Sequence, residues 1–193
     1  LAAPEVGGFY ALTHGLVKSA LFLIAGNLPS RNLKTLRHEA IPRSVWLALA
    51  IASFSISGFP LLSGFGAKVL TMKNLLPWQV IGMNVAALGT AVSFAKFIFL
   101  PHSDDVKSDV KPGFWGAMLL LLGGLVFANI VYYEAYTLGN IVKPLVTIAL
   151  GWAAYFAIFR RIAIKLPRVV ERFDHLIGVM SLMLMLLFGT VLA

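Results

Sequence analysis

The sequence predicts an all-α polytopic membrane protein of about six transmembrane crossings, the second of them a discontinuous helix. Three observations carry that expectation. Of 193 residues, 59% are hydrophobic and 12% charged, with a mean hydropathy of +0.86, against roughly 25% charged residues in soluble domains. Runs such as "FWGAMLLLLGGLVFANIVYY" (114–133) and "HLIGVMSLMLMLLFGTVLA" (175–193) match the roughly 20 apolar residues that cross a hydrocarbon core about 30 Å thick. They are too long and too many for a signal peptide. Finally, one apolar stretch is interrupted midway by glycine and proline, as a broken crossing would be.

The first span is expected at about 7–27. It is closed by "NLPSRNLKTLRHEAIPRS", which holds Arg31, Lys34, Arg37 and Arg43 against Glu39 alone, and in which "NLKTLRHEA" reads as a short interfacial helix. A second apolar stretch starts near Ser44, breaks at "SISGFPLLSGFGAK" (55–68) and resumes to about Leu76. Further spans are expected at about 79–100, 114–133, 141–159 and 175–193. Counting the broken stretch as one crossing puts the basic loops 27–44 and "FRRIAIKLPRVVERF" (159–173) on one side, as the positive-inside rule favours. Two crossings would separate them. The chain opens on Leu1 and enters apolar sequence almost at once, as expected of a fragment, a processed product or one half of a split subunit.

The net charge of +8 resides in short loops between apolar runs, so orientation in the bilayer explains it better than nucleic acid does. With no cysteine, no disulfide framework or thiolate cluster can form within the chain. His14, His38, His102 and His175 are scattered, only His14 lies well inside a span, and no cofactor or metal is expected. No phosphate-cradling glycine motif, nucleophile elbow or zinc pattern appears. "HSDDVK" reads as a solvated loop, and Glu134, Lys143 and Asp174 read as span-end residues.

Two features carry chemistry. In "HGLVKSALFLIAG" (14–26), Tyr10, His14 and Lys18 recur every four residues and share one helical stripe. A lysine near the bilayer centre costs about 2.5–3.5 kcal/mol on insertion scales and ordinarily faces a bundle interior or a wet cavity. Lys18 is nine residues from Asn27, about 13 Å at 1.5 Å per residue, too deep for easy snorkelling. The second feature is the break itself. Gly58, Pro60 and Gly64 disrupt the helix, Lys68 follows directly, and Ser53, Ser55, Ser57 and Ser63 supply hydroxyls. A discontinuous helix beside a titratable group is one way to build an ion site at membrane depth. Ser57, Ser63, Tyr10 and Lys96 are accessory candidates, Lys96 with snorkelling as its plainer explanation.

Taken together, "HGLVKSALFLIAG" and "SISGFPLLSGFGAK" resemble the antiporter-like membrane subunits shared by respiratory complex I and the Mrp-type sodium/proton antiporters. The resemblance covers roughly residues 6–100, with Leu61 standing where a second proline is common. It implies proton movement, with Lys18 as a central relay, His14 beside it and Lys68 as a terminal site. It also implies that an earlier half, carrying a glutamate and a lysine, is supplied by a missing segment or a partner chain. The terminal lysine and short tail lean toward the Mrp-type D subunit, with a complex I membrane-arm subunit close behind. Residues 1–100 are then the C-terminal part of a translocation module and 101–193 three additional helices. Expected partners are other membrane subunits and the lipid bilayer, in a bacterial inner membrane or a thylakoid. Two readings from other classes compete: a structural or assembly subunit whose lysines pair with a neighbour's acids, and a membrane enzyme working through His102–Asp109.

Overall fold

The computed structural model describes residues 3–107, 110–131, 133–161, 175, 177–182 and 185–186. Residues 1–157 form one compact unit and 158–193 a second. In the second, the described residues from 175 onward are helical. The basic loop expected at 159–173 lies largely outside the described residues, as do Asp174 and most of the span expected at 175–193.

The first unit is built from seven α-helices: α1 (Ala3–Ala25), α2 (Leu33–Leu36), α3 (Arg43–Ser57), α4 (Ser63–Lys73), α5 (Pro77–Ile98), α6 (Pro112–Val131) and α7 (Leu138–Ala154). Four of them, α1, α5, α6 and α7, are long and apolar enough to cross a membrane. The helix ends follow local chemistry. Prolines begin α5 and α6, where a missing N–H costs nothing. Asn27 and Asn74 close α1 and α4 by donating Nδ2 to the Leu23 and Leu70 carbonyls at 2.9 and 3.1 Å. The interfacial helix expected at 32–40 is the single turn α2, capped by Asn32 through the Lys34 N–H and anchored by buried Leu36.

Helix α1 packs on α3, α4 and α6, while α5 packs on α3 and α7. Helices α5 and α7 run parallel, with Gly151 so close to Ala91 that a Cβ there would meet the Ala91 Cβ at 2.6 Å. The start of α3 is tied to the end of α5. Ile41–Pro42 pairs in parallel with His102–Ser103, Trp46 donates Nε1–H to the Ile98 carbonyl at 3.0 Å, and the Trp46 and His102 rings stack at 3.7 Å.

The break between α3 and α4 is a closed turn. Gly58 takes a left-handed conformation (φ 81°), its N–H bonding the Ser55 carbonyl while Phe59 N–H bonds that of Phe54. This is the Schellman arrangement, completed by the expected apolar contact, here the Phe54 and Phe59 rings at 5.0 Å. Leu61 also has positive φ (79°) and donates its N–H to the Tyr136 hydroxyl at 3.1 Å. Proline could do neither, since its φ is locked near −65° and it has no N–H. The departure at position 61 therefore has a structural reason.

Candidate functional site

Helix α4 begins tightly against the end of α3, because Gly64 lies under the Ser55 carbonyl: a Cβ at 64 would meet that oxygen at 1.9 Å. This close approach turns Lys68, one helical turn later, back toward the break, where its Nζ lies 3.6 Å from the position a Gly58 Cβ would occupy. The Lys68 side chain thus lies against the turn that closes α3.

Lys68 lines a cavity of about 250 Å³ together with Tyr10, Thr13 and His14 of α1, Ser55 and Ile56 of α3, Gly64 of α4, and Thr90 and neighbouring apolar residues of α5. The Tyr10 and His14 rings stack at 5.5 Å. Ser55 is fully buried, and its hydroxyl has no hydrogen-bond partner among the described residues, so a donor and acceptor is held at the cavity wall, a suitable anchor for water. Thr13 spends its hydroxyl within α1, donating to the Phe9 and Tyr10 carbonyls.

The structure thus brings together Tyr10, His14, Gly64 and Lys68 from the two sequence motifs. Lys18 lies elsewhere, on an exposed face of α1 one turn beyond His14, and does not line this cavity. Ser57 is buried and donates to the Ser53 carbonyl at 2.7 Å. Lys96 lies half-buried near the end of α5, away from the cavity. Ser63 begins α4, and its side chain lies outside the described residues. Pro60 and Gly58 form the turn itself. The residue that sequence reasoning left undifferentiated is Ser55. Its spacing from Ser53 and Ser57 put all three at the break, and only packing selects which one meets the cavity.

The loop candidates have other partners. Asp104 pairs with Arg43 at 2.6 Å, both well exposed, and His102 stacks on Trp46. Among the described residues no three His, Cys, Asp or Glu side chains are grouped to hold a metal.

Residues 4–93 match the model of the family described as NADH:quinone oxidoreductase/Mrp antiporter, transmembrane. Over this stretch the chain is similar to that antiporter-like family. The matched segment runs from α1 through most of α5 and contains both motifs, so His14, Lys18, the α3–α4 break and Lys68 all fall inside it, whereas Lys96, α6 and α7 fall outside. No curated protein and no solved structure gives a significant match. Family and apolar helices together make this an integral membrane protein.

Proposed function

We propose that this chain is part of a proton-translocating membrane subunit in a multisubunit cation/proton antiporter, moving protons between His14 and Lys68 through a hydrated cavity. The observation that carries the reading is the cavity of about 250 Å³ in which His14 and Lys68, one from each family motif, share a wall with the unpartnered Ser55 hydroxyl. Imidazole suits the relay because its ordinary pKa is about 6.5. A proton leaving Lys68 Nζ for a cavity water is matched by one arriving at His14; His14 then releases its proton onward and Lys68 takes up a new one, so each cycle moves one proton.

In this reading α3 and α4 together make one discontinuous crossing. Helix α3, at 15 residues, spans only about 22 Å at 1.5 Å per residue. Adding the 11 residues of α4, less the overlap at Gly64, reaches the roughly 30 Å required. The helical residues described from 175 onward belong, in this reading, to the sixth crossing, expected at 175–193.

Lys18, expected as a central relay, is here assigned to a contact with a partner helix. Gly7, Ala11, Gly15 and Ser19 are exposed at four-residue intervals on α1, with exposed Lys18 flanking them. Small residues at this spacing allow a second membrane helix to approach closely, and a lysine left facing hydrocarbon is costly. The occupant is another membrane subunit of the assembly. The family description names two kinds of assembly, so a complex I membrane-arm role is the second reading, in a bacterial plasma membrane or another energy-transducing membrane.

The test is proton transport in vesicles carrying the native assembly, with Lys68→Ala and His14→Ala. Transport is expected to collapse while the complex still purifies intact. Unchanged transport in both variants contradicts the reading, and loss of the complex itself supports an assembly role instead.

A further inference from the structure

Lys68 also faces a second cavity. This one, about 210 Å³, lies where α4 ends and α5 and α7 begin, and its polar lining is Lys68, Lys73, Asn84, Asn140, Lys143 and Thr147. Lys68 is the one residue the two cavities have in common. Lys73 and Lys143 are exposed and Lys68 is half-buried, so three lysines from two helices line one space. No carboxylate is among the described lining residues. Asn140 commits its Nδ2 to the Ala135 carbonyl at 3.0 Å, whereas the Asn84 carboxamide has no hydrogen bond to a described residue. Helices α5 and α7 present their N-terminal, positive ends toward this side. Apolar Met72 and Val80 complete the wall.

Like charges lining a cavity with free donors and no acceptor group of opposite sign call for an anion. We propose that this cavity binds a phosphate-class anion, held by Lys73, Lys143 and Lys68. Basic pockets between membrane helices near the interface take lipid headgroups, and a free phosphate ion would meet the same donors. Lys143 and Asn140 come from α7, outside the segment matched by the family, so the site belongs to the junction of the two parts of the chain. It shares Lys68 with the proposed proton path, and its test reads binding rather than transport.

The full chain in neutral detergent is tested by thermal unfolding with phosphatidylglycerol, with phosphatidylcholine, and with inorganic phosphate at matched ionic strength. Binding to the folded state raises the midpoint. The expected result is a rise of several degrees with phosphatidylglycerol and none with phosphatidylcholine. The rise should be abolished in the double variant Lys73→Gln, Lys143→Gln and retained in Lys73→Arg, Lys143→Arg. A rise with inorganic phosphate that shows the same lysine dependence assigns the free anion as ligand. No rise with either anion, or an equal rise in the glutamine variant, overturns the proposal.

Discussion

Lys68 and Lys18 are both lysines set in apolar sequence beside a family motif, yet their surroundings differ sharply. Lys68 is folded back over Gly58 between two cavities, whereas Lys18 projects from a face of α1 left exposed by the described residues of the first unit. The difference separates two ways of carrying a charge at membrane depth. Lys68 has its surroundings supplied by its own chain, through the tight α3–α4 turn. Lys18 needs them from a neighbour.

The largest expected effect tests that self-sufficiency. Lys68→Ala should lower proton flux by at least about tenfold, the equivalent of roughly 1.4 kcal/mol in barrier, with the complex still assembled. Lys18→Ala should match it only when the partner face is occupied. Next comes the turn that aims Lys68. Gly64→Ala forces a methyl into the Ser55 carbonyl and should cost about 3 kcal/mol, read as a lowered unfolding midpoint in detergent, while Gly82→Ala, which meets nothing within 4 Å and lies inside α5, should hold or slightly raise the midpoint. Gly58→Ala should fall between them, at roughly 1–2 kcal/mol for a left-handed residue with a side chain. Smaller again, Ser55→Ala should leave stability nearly unchanged, since the hydroxyl has no partner among the described residues to lose, while slowing flux measurably. An equal loss of stability and flux would show that Ser55 is a packing residue. The smallest effect is expected at the rim, where breaking the exposed Arg43–Asp104 pair should cost no more than about 0.5 kcal/mol.

Much of this was legible in the sequence. The apolar runs mark α1, α5, α6 and α7 because crossing length and lack of charge are one-dimensional properties. The α3–α4 break was readable from Gly58 and Pro60 for the same local reason. What the sequence leaves open is which face of each helix turns inward. In a membrane segment both faces are apolar, and α1 exposes Leu12 and Phe22 as freely as it buries Val17 and Ile24. The four-residue stripe therefore grouped Lys18 with His14, and packing divided them. The second cavity was hidden for a related reason. Lys143 reads as a span-end lysine on its own, and acquires a setting only when α7 lies parallel to α5 and beside the end of α4.

The most direct test of the account is whether Lys68 lies where two cavities meet. The chain has no cysteine, so Lys68→Cys gives a single thiol without further substitution. The account predicts that a small, charged, membrane-impermeant thiol reagent labels it in sealed vesicles of the assembled protein, and that adding Lys143→Trp slows labelling only from the side of the second cavity. A thiol at position 68 that resists the reagent from both sides of the membrane would contradict it.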